Sequence, residues 1–257
     1  MRIKTHLFTL EVFSVLSLLL MIALLSVPCH AQVKEDFKQA FPIVPNGQFR
    51  LSNINGTVVI KAWEELRVQI IAVKEAPSAD RMSELKIEIA ATADSIEVET
   101  IYPQGKGSGF SVNYEVSLPK TVALQKINTV NGKIDITGMA SEVHISTVNG
   151  DGKIIGCSGR VEGQTVNGGL QVVVGKGQIL LEANLSTVNG SLRLIAPDLA
   201  DARVQANTVN GSIQTDFPFE VKGKLVGKSM EGSLGNGSAG IKLKTVNGSI
   251  HLLKTTS

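Results

Sequence analysis

Four residues, Thr-Val-Asn-Gly, recur six times in this chain, at Thr129–Gly132, Thr147–Gly150, Thr165–Gly168, Thr187–Gly190, Thr208–Gly211 and Thr245–Gly248. From asparagine to asparagine the steps are 18, 18, 22, 21 and 37 residues. Self-similarity at about 20 residues marks a solenoid or stacked array, because each unit buries its apolar face only against its neighbours. The last gap is nearly two steps, and Ser229-Met230-Glu231-Gly232 inside it reads as a worn copy. A fainter copy, "LSNINGTVVI", lies upstream at Leu51–Ile60.

Every unit has the same grammar. A β-branched run leads into Asn-Gly and an alternating run leaves it, as in "GKIDITG" and "GSLRLIA". Alternating Ile, Val, Leu and Thr is strand chemistry with one buried face. A second reversal then closes the unit, as in "TGMASE" and "APDLAD". Each repeat therefore holds at least two short strands and two turns, with no helix-length periodicity after Ile127.

Asn and Gly both tolerate positive φ, which makes the pair a natural reversal. Two architectures use it: a meander of hairpins with Asn-Gly turns, or a parallel β-helix in which Asn-Gly turns one corner per coil. Ile127, Val130, Ile134 and Ile136 are not of one parity, so the in/out alternation changes phase across the motif. A sharp corner explains this, as would a bulged hairpin. A hairpin turn would not demand the preceding Thr-Val, so the repeated tetrad favours stacked coils. The expected corners are Asn131 and Gly132, Asn149 and Gly150, Asn167 and Gly168, Asn189 and Gly190, Asn210 and Gly211, and Asn247 and Gly248. Their asparagines could hydrogen-bond up and down a ladder in a tight interior.

The amino-terminal half lacks the repeat but is strand-like, in "FRLSNINGTVVIKAW", "LRVQIIAVKEA", "LKIEIAA", "SIEVETIY" and "FSVNYEVSLPK". Helix formers after Ser78 predict one short helix in Pro77–Leu85, and "PQGKGSGF" at Pro103–Phe110 reads as a loop. The tract "VKGKLVGK" at Val221–Lys228 reads as a strand with a solvated face. The expected organisation is a signal peptide over 1–31, a β-rich part or cap over 32–125, and the repeat solenoid over 126–257.

The signal-peptide reading rests on Arg2 and Lys4, the apolar run Val12–Val27, and small residues Cys29 and Ala31 at positions −3 and −1 of a cut after Ala31. The apolar run is shorter than the roughly 20 residues that span a bilayer, so cleavage is preferred to a retained anchor. Pro28 before Cys29 argues against a lipoprotein signal. Without Arg2, Lys4 and Glu11 the exported chain carries 23 basic and 22 acidic residues. That balance offers no concentrated basic patch for nucleic acid. Cys157 is its one cysteine, so no internal disulfide is expected and stability must come from the core.

The run "VNYEVSLPKTVALQKINTVNGKIDITGMASEVHISTVNGDGKI" resembles the bacterial putative-adhesin β-repeat family, domains of unknown function in cell-envelope proteins. The resemblance covers most of the exported chain and is strongest over Val112–Leu253. It implies an extracytoplasmic, right-handed β-helix-like domain and carries across no catalytic residue. The expected fold is thus all-β: a right-handed parallel β-helix with coils of about 20 residues, the antiparallel hairpin meander being the alternative.

Parallel β-helices also include polysaccharide lyases and hydrolases, which need carboxylates or a base grouped on neighbouring coils. The outward position after each corner reads Asp135, Gln171, Arg193, Gln214 and His251, the second repeat being shifted by Gly152. Asp135 with Asp151 or Glu142 could form a carboxylate pair, but a solvated face fits the mixture better. Neutral Asn in the turns argues against a calcium ladder, and no His/Cys/Asp cluster has metal-ligand spacing. No metal or cofactor is expected. His144 and His251 read as surface residues, Cys157 as a turn or core residue, and Trp63 as a rim residue. Asn189-Gly-Ser and Asn247-Gly-Ser match the glycosylation pattern, which turn demand already explains. The expected function is an exported, non-enzymatic binding or scaffold module of the cell envelope. Its expected partner is a surface glycan or an envelope protein, with no nucleic acid and no membrane span in the exported chain. The alternative is a polysaccharide-processing enzyme.

Overall fold

A computed structural model describes residues 32–103, 109–197, 199, 201–223 and 227–255. The expected signal peptide and its cut after Ala31 lie outside the described residues, as do 104–108 of the expected loop. Strands are numbered β1–β21 along the chain. They form two sheets.

In spatial order the first sheet runs β1 (Val33–Pro42), β4 (Arg67–Ala76), β7 (Ser111–Pro119), β3 (Val58–Trp63), β9 (Ile134–Thr137), β11 (Gly152–Cys157), β13 (Leu170–Val174), β15 (Leu192–Ala196), β21 (Ile250–Lys254), β17 (Ile213–Thr215). The second runs β5 (Lys86–Ala91), β6 (Ser95–Ile101), β2 (Gln48–Ser52), β8 (Ala123–Asn128), β10 (Val143–Ser146), β12 (Gly159–Gln164), β14 (Leu180–Asn189), β20 (Ala239–Asn247), β16 (Ala202–Asn210), β19 (Lys228–Ser233), β18 (Val221–Gly223). Alternation decides the layers. Ile134 and Ile136 on β9, and Leu124 and Ile127 on β8, are buried in one core shared by both sheets.

Each tetrad carries the chain from the second sheet to the first. Between coils the repeat strands pair in parallel, from β7 to β17 in one sheet and from β6 to β16 in the other. Antiparallel pairs sit at the ends: β1 with β4, β4 with β7, β5 with β6, β16 with β19, and β19 with β18. The fold is therefore all-β and solenoid-like with mixed sheets. The purely parallel coil of expectation is corrected at both ends of the stack, where antiparallel strands cover three of the four edges; the first sheet ends on β17 in parallel pairing.

Spatial order departs from chain order twice: near the amino terminus β2 lies between β6 and β8 and β3 between β7 and β9, and a second departure lies at the other end. The final coil, β20 and β21, lies between β14 and β16 in one sheet and between β15 and β17 in the other. The chain builds its fifth tetrad coil one place too far along, turns back through β18 and β19, and ends by filling the place it skipped.

Two expectations about particular segments need correction. Lys228–Ser233 is no worn coil: it pairs antiparallel with β16 through Ala206↔Met230. Val221–Lys228 is not one strand, because β18 and β19 pair antiparallel as a hairpin. The expected short helix is present as a 3₁₀ segment, Ala79–Glu84, with Ser78 at its N-cap position but making no side-chain cap. Among the described residues, no helix is long and apolar enough to cross a membrane.

Candidate functional site

The corner is the most regular part of the molecule, and each tetrad residue has a separate task. Threonine points inward and is buried in all six copies. Its hydroxyl donates to the carbonyl of the corner glycine one coil away: Thr147 to Gly132 at 3.1 Å, Thr165 to Gly150 at 3.1 Å, Thr187 to Gly168 at 2.9 Å. Thr245 reaches Gly190 at 3.0 Å and Thr208 reaches Gly248 at 2.8 Å. Valine points out, with Val130, Val148, Val166, Val188 and Val209 between 37% and 46% exposed.

The asparagines form a ladder along the outside. Asn131 Nδ2 donates to Asn55 Oδ1, Asn149 to Asn131, Asn167 to Asn149, Asn189 to Asn167, Asn247 to Asn189 and Asn210 to Asn247, all between 2.7 and 2.9 Å. All six bonds run in one direction, and Asn55 Nδ2 completes the end on the Phe110 carbonyl at 3.1 Å. The ladder is exposed rather than held in a tight interior.

Glycine is required for closeness, not for turn geometry. No tetrad Asn or Gly has positive φ; among the described non-glycine residues only Asn46 does. A Cβ on Gly168 would lie 1.9 Å from the Gly150 carbonyl oxygen, and one on Gly190 would lie 1.8 Å from that of Gly168. Successive coils touch backbone to backbone at this corner, which only a residue without a side chain permits. The positive-φ explanation is therefore replaced.

The outer face of the first sheet holds the expected mixed column, with one addition and one reordering. Register places Asp135, Lys153, Gln171, Arg193, His251 and Gln214 side by side. Lys153 fills the rung that the extra Gly152 obscured, and His251 precedes Gln214 because the last coil is intercalated. Asp135, Asp151, Lys153, Gln171 and Arg193 line a shallow groove of about 600 Å³. Asp151 accepts a hydrogen bond from Gly169 N at 2.8 Å. Glu142 is not brought to this groove: it lies beside His144 on the second sheet, 3.0 Å from its Nε2. His251 has its pKa lowered by burial and, secondarily, by Arg193.

The outer face of the second sheet presents two columns. Arg50 and Lys126, then past a bulge in β8 His144, Glu162, Asn184, Lys242, Gln205 and Glu231, make a largely charged one. Beside it run Ser52, Asn128, Ser146, Gln164, Ser186, Lys244, Asn207 and Ser229, hydroxyls and amides interrupted by Lys244 and bounded by Glu99 beyond Ser52 and Lys222 beyond Ser229. Neither column was legible in the sequence, although β-alternation before each tetrad held the signal.

The remaining candidates sit apart from these faces. Cys157 is buried, and burial pushes its thiol up to about 11. Trp63 lies at the end of β3, its Nε1 donating to the Arg67 carbonyl at 2.9 Å under the Arg67 guanidinium. Among the described residues no group of three His, Cys, Asp or Glu side chains is placed to hold a metal ion.

A family model described as Toastrack DUF4097 matches residues 44–253. No curated protein matches the chain. Among solved structures it is similar to a "putative cell adhesion protein" from Clostridium sporogenes, at 14% identity and a TM-score of 0.47, covering 86% of this chain and 100% of that one. It is also similar to a "putative adhesin" from Bacteroides fragilis, at 11% identity and a TM-score of 0.39, covering 86% of this chain and 97% of that one.

Proposed function

The chain belongs to the Toastrack DUF4097 family, and on that footing we propose that it is an exported, non-enzymatic binding or scaffold module of the bacterial cell envelope. In this reading Ala31 ends a cleaved signal peptide, residues 32–125 start and cap the stack, and residues 126–257 form a right-handed run of coils cornered at the tetrads. The observation that supports it most is the uncharged column from Ser52 through Asn128, Ser146, Gln164 and Ser186. Its rungs repeat at the strand spacing of about 4.8 Å and offer donors and acceptors along a flat face. A hydroxyl-rich polymer can lie along such a comb, so a surface glycan is the preferred ligand and an envelope protein the other partner. The near-balanced charge of the exported chain gives nucleic acid nothing to hold.

One observation favours a second reading. Asp135 and Asp151 line the same groove as Lys153 and Arg193, the kind of grouping from which a polysaccharide-processing enzyme would work.

Purified Gln32–Ser257 incubated with insoluble cell-wall and polysaccharide fractions separates these. Retention in the pellet without released sugar ends, weakened by the double change Asn128→Ala and Gln164→Ala, is the expected result. Released reducing or unsaturated ends that vanish in Asp135→Asn would transfer the case to the enzyme. A result with neither retention nor released sugar would point to a protein partner instead.

A further inference from the structure

The last coil occupies a slot. β20 pairs in parallel with β14 on one side, through Asn184↔Lys242, and with β16 on the other, through Gln205↔Lys242. β21 likewise pairs with β15 and β17. β16 has no partners but β19 and β20, and β17 none but β21, among the described strands. Among the described residues, the segment 239–254 is thus the only strand-to-strand link between the body up to Ala196 and the block formed by β16–β19.

Its fit is complete on both sides. Ile241, Leu243, Thr245, Ile250 and Leu252 are all buried. Thr245 donates to Gly190, and Thr208 on the far side donates to Gly248. The asparagine ladder crosses the slot through Asn247, which donates to Asn189 and accepts from Asn210. None of these contacts requires that the inserted coil belong to the same chain. An identical coil from a second molecule would make every one of them.

The covalent tie is slight. Only 234–238 joins β19 to β20, crossing the start of β16, with Gly235 and Gly237 at φ 53° and 67°. It is held by Asp201, whose Oδ1 accepts from Asn236 N at 2.7 Å and whose carbonyl accepts from Ala239 N at 2.8 Å. When identical elements can be exchanged across a short hinge, the closed and exchanged forms differ only in the hinge and in the concentration of partners.

We propose that this slot is an interaction site for a second copy of the chain, whose carboxy-terminal coil, 239–254, replaces the resident one by opening the 234–238 hinge. The exchange holds whichever ligand the outer faces take. Where it is reciprocal it closes a dimer; where it is not, it links molecules end to end.

The test uses Gln32–Ser257 with Cys157→Ala throughout, and a short bismaleimide as cross-linker. Gln205→Cys and Lys242→Cys are placed in separate chains, unfolded, mixed and refolded together. With an effective concentration of roughly 1 mM for a short tether, co-refolding at about 0.1 mM should put about a tenth of the chains in interchain cross-links, and a tenfold dilution should cut that about tenfold. Mixing the two chains already folded should give far less. A chain carrying both substitutions must cross-link within itself, which shows that the sites face each other. Internal cross-linking with no interchain product after co-refolding would overturn the proposal, as would failure of the internal cross-link. Product from Asn184→Cys with Lys242→Cys, but none from Gln205→Cys with Lys242→Cys, would place the hinge at 197–201 and overturn it too.

Discussion

Thr187 donates its hydroxyl hydrogen bond to the carbonyl of Gly168, one coil away, at 2.9 Å. That carbonyl is wedged between coils, with Gly190 pressed so close that a Cβ there would lie 1.8 Å from its oxygen. The acceptor is half-buried, and the threonine hydroxyl is the side-chain donor that satisfies it.

Thr187→Val keeps the shape and removes the donor. Leaving this half-buried carbonyl without its donor should cost about 1 kcal/mol, which should lower the urea midpoint with no change in slope. Val188→Thr, one residue on and exposed, should stay within about 0.5 kcal/mol of wild type. Equal effects from the two would contradict the division of tasks within the tetrad.

Gly168→Ala and Gly177→Ala separate the two reasons for glycine. At Gly168 a Cβ would meet the Gly150 carbonyl oxygen at 1.9 Å, and two main chains would have to part. A loss above about 4 kcal/mol, in the exceptional range, is expected from thermal or urea unfolding. Gly177 has φ +77° with nothing within 4 Å of its Cβ position, so only the left-handed backbone is penalised, at about 1–2 kcal/mol.

Position along the amide ladder sets the cost of breaking it. Asn167→Ala removes two hydrogen bonds, to Asn149 and from Asn189. Asn210→Ala, at the end, removes only its bond to Asn247. At about 0.5–1.5 kcal/mol per bond, urea titration should show the internal change costing roughly twice the terminal one. A ladder held in place by the backbone alone would show neither loss.

Acid should act on the amino-terminal edge. Hydrogen bonds from Lys34 at 2.7 Å and from Ser111 at 2.9 Å, with the Lys34 charge adding to them, hold the Glu75 pKa below the ordinary carboxylate range. A folded pKa below the unfolded one means stability that is present above about 4.3, the ordinary glutamate value, and lost as the pH falls through the lower folded value. Glu75→Gln should therefore show a smaller drop in urea midpoint between pH 7 and pH 3 than wild type. An identical drop in both would remove Glu75 from the account.

Much of the corner could be read from residue order. The parity change between Ile127 and Ile134 marks the point where the chain leaves one sheet for the other, because burial alternates with period two on either side. What the asparagines do was half legible: a repeated amide suggests a ladder, but not whether it lies inside or out. The reason for glycine was not legible. Positive φ and close approach of two backbones select the same residue, and only coordinates separate them. The uncharged column on the second sheet was missed because Ser52, Asn128, Ser146, Gln164 and Ser186 share no residue type. Their kinship lies in register, not in identity.

The sequence by itself determined an all-β stack of coils of about 20 residues, with threonine, valine, asparagine and glycine at one corner. Local alternation and the repeat suffice for that, since each coil has the same needs wherever it stands. Only the tertiary structure decided the order of the coils and how the stack ends. Gly190, Gly211 and Gly248 offer chemically identical edges, so no residue near Thr245 says which of them it will meet. The choice falls to the connections. β18 and β19 turn antiparallel and cover β16, and the short 234–238 link then delivers the last coil to the one place left with two open edges, where it satisfies twice as many backbone groups as it would at an end.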